Sequence, residues 1–184
     1  MDLGLHNKVV MVAASSKGLG FGVAQASAQE GARVSLCSRT EADVLVAAER
    51  IRTETQSETL ATACDVLDAA QIENWVQRTV SAWGQLDALL VNAGGPVSAS
   101  FKELSDEQWH AAFELTLMST VRMIRAVLPH MSSGGAILTV TSSSIIEPIP
   151  RLGLSTVMRA GVAGLVKTLA NELAPDGIRS EERR

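Results

Sequence analysis

Runs of apolar and β-branched residues at positions 8–13, 32–37, 59–64, 86–92 and 136–141 alternate with longer segments of helical period. The runs are apolar almost throughout, as strands covered on both faces must be. In the first intervening segment Leu19, Val23 and Ala26 fall on one stripe, and Gly31 stands where a helix stops. Asp68 is a good N-cap for the third, and a capping box, Ser105-Asp-Glu-Gln108, opens a long segment running to about His130. A last helix starts near Leu152 and is closed by Pro175 and Gly177. Strands alternating with helices predict an α/β fold, a doubly wound parallel sheet with right-handed crossovers and helices on both faces. Such sheets take ligands at the carboxyl ends of their strands, so the chemistry is sought there.

The 184 residues carry no repeat, low-complexity tract or linker, which predicts a single domain over 1–184. A net charge of −4, with neither a basic stripe nor stacking aromatics, argues against a nucleic-acid partner. No apolar run suits a signal peptide or approaches the roughly 18 residues of a membrane span. The expectation is a cytoplasmic protein with no membrane partner. Cys37 and Cys64 each end a strand-like run and read as buried free thiols. His6, His110 and His130 are scattered, so no metal site is expected. The chain contains no tyrosine.

The first strand leads into Ala13-Ala-Ser-Ser-Lys-Gly-Leu-Gly-Phe-Gly22. Gly18 and Gly20 sit where strand turns into helix, and with Ser16, Lys17 and Leu19 they form a loop whose amides can approach a diphosphate. A nucleoside-triphosphate P-loop does not fit, because Lys17 precedes the glycine and no Lys-Ser/Thr pair follows. The second strand ends Cys37-Ser38-Arg39, without the carboxylate that commonly receives the ribose hydroxyls of NAD. Arg39 and Lys17 suit a 2′-phosphate, so NADP(H) is favoured and NAD(H) is the alternative. Asp65-Val66 follows the third strand and Asn92-Ala93-Gly94 the fourth.

Taken in order at the strand ends, these pieces resemble the short-chain dehydrogenase/reductase family, over about residues 5 to 179. The family's fold is a Rossmann-type three-layer αβα sheet. Its loop reads Thr-Gly-x-x-x-Gly-x-Gly. Gly18 and Gly20 match the later glycines, while Ala13 and Ala14 replace Thr-Gly; a methyl at Ala14 is tolerated where its φ is negative. Asp65-Val66 resembles the pair placed beside the adenine, and Asn92-Ala-Gly94 resembles Asn-Asn-Ala-Gly, with Val91 in place of the first Asn.

The resemblance implies a serine, then Tyr-x-x-x-Lys thirteen residues on, with an asparagine on the preceding long helix. The tyrosine exchanges a proton with the substrate oxygen while hydride moves to or from the nicotinamide. Ser142 matches the serine, but Ser155 and Arg159 hold the tyrosine and lysine positions, and the asparagine position falls at Thr116. An aliphatic hydroxyl is a much weaker acid than a phenol, whose pKa is about 10, and Arg159 cannot pass on a proton. Two readings follow. One is a reductase of a carbonyl or secondary alcohol that protonates its product by an atypical route, with Ser142, Ser155 and Arg159 as the candidate catalytic residues. The other is an NADP(H)-binding protein without turnover, a sensor or interaction partner. Glu147 is the nearest ionisable candidate to a substrate pocket, though an exposed loop carboxylate is the simpler reading.

Beyond Leu173-Ala-Pro-Asp-Gly-Ile-Arg179 the match stops, and Ser-Glu-Glu-Arg-Arg184 carries no strand pattern. The expectation is that the family's last two strands and the substrate-covering segment are lacking, which leaves the fifth strand with an open apolar edge. Apolar stripes on the helices from Ser105 and Leu152 match those that pair across dimers in similar proteins, so a homo-oligomer is expected.

Overall fold

The computed structural model describes residues 3–183. Six parallel strands form one sheet in the order β3-β2-β1-β4-β5-β6. They are β1 (Val9–Val12), β2 (Arg33–Ser38), β3 (Thr59–Ala63), β4 (Leu86–Val91), β5 (Met131–Val140) and β6 (Arg179–Arg183). The helices are α1 (Gly18–Gln29), α2 (Glu41–Thr55), α3 (Ala69–Trp83), α4 (Asp106–Ala112), α5 (Ser119–Val127) and α6 (Gly153–Glu172). The strand order reverses between β1 and β4, so the doubly wound sheet has its switch point at the ends of these two strands.

Alternation along β1 divides the core. Val9, Met11 and Ala13 pack with Trp75 of α3 and with Met123, Ile124 and Val127 of α5. Val10 and Val12 turn the other way, against Ala24 and Ala28 of α1 and Val44, Ala47 and Ile51 of α2. Trp75 is fully buried, and its indole N–H donates to Ser35 Oγ at 2.9 Å, so the polar tip is satisfied inside the core. Asp68 caps α3 as its sequence predicts, accepting from the amides of Ala70 and Gln71. The reciprocal Ser105/Gln108 box starts α4.

Two expectations need correction. The segment from Ser105 to His130 is not one helix. α4 runs into a π-helical turn, Phe113–Met118, before α5 resumes; such turns widen the backbone where a side chain must be aimed. The tail after Gly177 is a strand, and the edge of β5 is paired. Ala136 lies opposite Arg179 and Val140 opposite Arg183, Thr141 Oγ1 donates to Glu182 Oε2 at 2.7 Å, and Ile178 and Ser180 are buried. The ladder uses backbone groups alone, so the free edge of β5 imposes extension on a sequence with no strand pattern of its own. Arg179, Glu181 and Arg183 stay exposed along the new edge, where charges discourage further pairing.

Candidate active site

β1 enters its turn through Ala13, which is fully buried. Ser15 then fastens the turn to the end of β2. Its amide donates to Cys37 O at 2.9 Å, its hydroxyl donates to Val12 O at 2.8 Å, and that oxygen accepts from the Cys37 amide at 3.2 Å. Sequence reasoning passed over Ser15 because the role depends on a neighbouring strand. Gly20 is packed against the turn: a Cβ there would stand 2.5 Å from Ala14 O and 3.0 Å from Asn92 Nδ2. Gly18 has a φ of +62° and open space around it, as a loop that admits a ligand to its backbone requires. Ala14 also lies in the left-handed region, at φ +48°. The condition under which the methyl is tolerated, a negative φ, is not met: the turn keeps the conformation that a glycine would favour, and the methyl group bears the strain.

α1 begins at Gly18 with no side-chain hydrogen bond from its N-cap, Lys17. The amides of its first turn therefore face the open end of the sheet without a side-chain acceptor. Beside the loop that leads into α1 lies a cavity of about 430 Å³. Its wall includes Ser16, Lys17, Ser38, Arg39, Asp65, Val66, Asn92, Ala93 and Gly94, so one cleft gathers residues assigned to the coenzyme from four separate strand ends. Gly18, Leu19 and Gly20 lie outside that wall. The two glycines shape the loop, and the Leu19 side chain is 57% exposed. The wall also contains Ala14, Thr40, Asp43, Cys64, Leu67, Gly95 and Leu115, which only the folded chain brings there.

Lys17 and Arg39 are exposed at the rim, and neither is ion-paired with a described residue. Ser38 Oγ donates to Thr40 O at 3.0 Å and shapes the turn that carries Arg39. Thr40 starts α2 without a side-chain cap bond, so this second helix start faces the same side of the cleft. Asp43 is one turn further on. Asp65 secures its own turn, accepting from the Leu67 amide at 3.0 Å. Asn92 braces the glycine loop, its Nδ2 donating to Ala13 O at 3.3 Å and Ala14 O at 3.4 Å.

At the end of β5, Ser142 Oγ accepts from the Ser144 amide at 3.2 Å, which leaves its proton free to donate. One helical turn apart on α6, Arg159 Nε donates to Ser155 Oγ at 3.2 Å and Nη1 donates to Val140 O at 2.6 Å. The structure thus joins Ser155 to Arg159 and ties both to β5. Burial draws the Arg159 guanidinium below its usual range. Beside it is a space of about 10 Å³ that also borders Asn92, Ala93 and Thr116, room for about one water. Thr116, on the π-helical turn, is 5% exposed and its hydroxyl has no hydrogen-bond partner among the described residues. Glu147 lies on the exposed loop after β5. Among the described residues no cluster of His, Cys, Asp or Glu could hold a metal ion, and no helix is long and apolar enough to cross a membrane.

Residues 13–181 match the family described as enoyl-(acyl carrier protein) reductase. Dehydrogenase/reductase SDR family member 4 of Bos taurus is 35% identical over 178 residues, which cover 95% of this chain and 63% of the bovine protein. The chain therefore spans less than two thirds of the length of that relative. Among solved structures, L-sorbose reductase from Gluconobacter frateurii, complexed with NADPH and L-sorbose, superimposes with a TM-score of 0.95 at 32% identity, over 99% of this chain and 70% of the reductase. An NADPH-bound short-chain oxidoreductase from Pseudomonas aeruginosa PAO1, described as containing an atypical catalytic center, gives 0.92 at 30% identity, over 96% of this chain and 71% of its own.

Proposed function

Because this chain belongs to the short-chain dehydrogenase/reductase family, we propose that it is an NADP(H)-dependent oxidoreductase acting on a carbonyl or secondary alcohol without a phenolic acid. The observation that carries the reading is the cleft beside the start of α1, walled by Ser16 and Lys17 just ahead of the helix and carrying at its rim two cations, Lys17 and Arg39, with no ion-pair partner among the described residues. The loop fits a dinucleotide diphosphate: Gly18 leaves its approach open and Gly20 keeps the turn tight. Lys17 and Arg39, with the uncapped start of α2, suit the 2′-phosphate. The NADPH complexes of L-sorbose reductase and of the Pseudomonas aeruginosa short-chain oxidoreductase support the same coenzyme. NADPH, when bound, supplies hydride.

The residues at the end of β5 and on α6 handle the oxygen. The Ser142 hydroxyl, its oxygen already occupied by the Ser144 amide, donates to the substrate carbonyl and polarises it. Ser155 accepts a charge-assisted hydrogen bond from Arg159, which favours negative charge on its oxygen and makes its proton easier to give to the forming alkoxide. Water then returns a proton to Ser155. The half-buried guanidinium holds the pair in place through Val140 O and itself transfers no proton.

The same reading takes the chain as one dinucleotide-binding domain working in the cytoplasm as a homo-oligomer. Phe113 and Val157, on two segments that pack together, remain exposed and offer an apolar face to a second copy. The second functional reading, a binder without turnover, draws on the engagement of Arg159 by Ser155 and Val140, because the guanidinium is then occupied within the fold. A panel of carbonyl compounds assayed with NADPH at several pH values separates the two. Coenzyme oxidation that disappears in Ser142→Ala supports the oxidoreductase. Bound NADPH with no oxidation across the panel supports the binder.

A further inference from the structure

The loop after β4 and the loop after β5 are fastened to each other. Ala99 and Leu152 form a parallel bridge outside the sheet, in which the Ala99 amide donates to Arg151 O at 3.0 Å. The Ser98 hydroxyl donates to the same oxygen at 3.2 Å, and the Arg151 guanidinium pairs with Glu103 at 3.5 Å. The first loop leaves the coenzyme cleft at Asn92 and Gly94. The second begins at Ser142, and Leu152 stands three residues before Ser155. The tie therefore spans the serines to which the proposed chemistry is assigned.

Four large apolar side chains remain exposed on these loops: Val97 and Phe101 on the first, Ile146 and Ile149 on the second. Their backbone is nonetheless fixed. Ile146 is 68% exposed, yet it closes the turn that follows Ser142, its amide donating to Ser143 O at 3.0 Å. Phe101 is 79% exposed, yet its ring meets Trp109 edge-on at 6.5 Å. Trp109 in turn packs on the buried Ala112, Leu154 and Met158, and Leu154 adjoins Ser155. Pro148 and Pro150 flank Ile149 and stiffen its loop. Charge is scarce beside them. Residues 92–101 carry none, and of the two charged residues in 142–152, Arg151 is engaged in the tie. The other, Glu147, repels an anion.

We propose that the site takes an apolar ketone, its alkyl or aryl group laid against Val97, Phe101, Ile146 and Ile149, in preference to a polyhydroxylated ketone such as L-sorbose. Fixed apolar groups left open beside polar ones that orient a ligand are the usual make-up of a small-molecule site. The proposal rests on the oxidoreductase reading given above. In the reaction the carbonyl carbon receives hydride from NADPH as the C=O π bond breaks onto oxygen, the oxygen takes a proton, and a secondary alcohol and NADP⁺ leave. The four apolar residues take no part in these steps; they draw the apolar group out of water and so set specificity.

The test measures kcat/KM with NADPH for methyl ethyl, methyl butyl and methyl hexyl ketone, acetophenone and L-sorbose. The value should rise about two- to fourfold with each added methylene, and L-sorbose should fall below methyl hexyl ketone. Phe101→Asn and Ile146→Asn, both at exposed positions and checked for folding by circular dichroism, should each cut the preference for methyl hexyl over methyl ethyl ketone roughly tenfold. A flat series, as expected where a second copy of the chain covers these side chains, would overturn the proposal. So would faster turnover of L-sorbose, or a preference that both variants leave unchanged. Calorimetry on the NADPH complex separates this failure from that of the oxidoreductase reading. Methyl hexyl ketone that binds tighter than methyl ethyl ketone with no oxidation of NADPH would sink the oxidoreductase reading and leave the apolar site standing. No difference in binding and no turnover would sink both.

Discussion

The carbonyl oxygen of Ala14 lies 2.5 Å from the point a Cβ on Gly20 would occupy, and Ala14 itself holds a φ of +48°. The two residues fix the tightest point of the strand-to-helix turn, one by having no side chain and the other by bearing a conformation that its side chain disfavours. Ala14→Gly should therefore raise the unfolding free energy by about 1 kcal/mol, the left-handed strain outweighing the added freedom of the unfolded chain. Gly20→Ala should lower it by roughly 1–3 kcal/mol, because backbone must shift to admit the methyl. Urea unfolding of the two variants reads both effects.

Ser142 and Arg159 should separate in kinetics. Once a substrate is in hand, Ser142→Ala should reduce kcat by about 10²–10³, the cost of losing one donor to a developing oxyanion, with NADPH affinity unchanged. Arg159→Met should lower kcat and also cost about 1–3 kcal/mol of stability, since it leaves the half-buried Val140 O without its donor. Arg159→Lys keeps the charge but not the geometry, and should recover part of the stability. Stopped-flow turnover together with thermal unfolding distinguishes the three.

Asp87, 7% exposed at the start of β4, makes the fold acid-sensitive. Burial alone would raise its pKa. The Val9 amide at 2.8 Å, the Lys8 ammonium at 2.9 Å and the Ser132 hydroxyl at 3.3 Å outweigh burial and hold the carboxyl below its ordinary value. A depressed folded-state pKa contributes stability that is present above the unfolded value, near 3.9, and is lost as pH falls through the folded one. Stability should thus decline below about pH 5, and Asp87→Asn should flatten that part of the curve while lowering the plateau at neutral pH. Denaturant midpoints measured from pH 3 to 8 check the sign.

The sixth strand should matter for solubility more than its composition suggests. Ile178, 6% exposed, joins β6 to the core under α3 and α5. Ile178→Ala should cost about 2–4 kcal/mol. Removal of residues 178–184 should bare the edge of β5 and produce concentration-dependent aggregation in light scattering.

Much of this fold is legible in the sequence because its signals are local. Asp68, the Ser105/Gln108 box and the apolar runs each act within a few residues, and each forms what its pattern predicts. β6 was illegible because Arg179-Ser-Glu-Glu-Arg183 has no preference that competes with an open edge far away in sequence. The π-helical turn at Thr116 leaves no mark in a helix-period pattern. In the site, glycines and charges announced the cleft, whereas Thr40 and Cys64 join its wall, and Ser15 braces the turn behind it, only through pairing between strands. The sign of φ at Ala14 follows from the packing of Gly20, which is tertiary and invisible in the sequence.

Titration of the protein with NADPH and with NADH, followed by nucleotide fluorescence and repeated on Arg39→Ala, puts the cleft to its most direct test. The account predicts saturable binding of NADPH at least tenfold tighter than NADH, on the scale of a charge-assisted contact of roughly 1.5–3 kcal/mol, and a preference that collapses in the variant. Binding of neither nucleotide would contradict it, as would a preference that Arg39→Ala leaves unchanged.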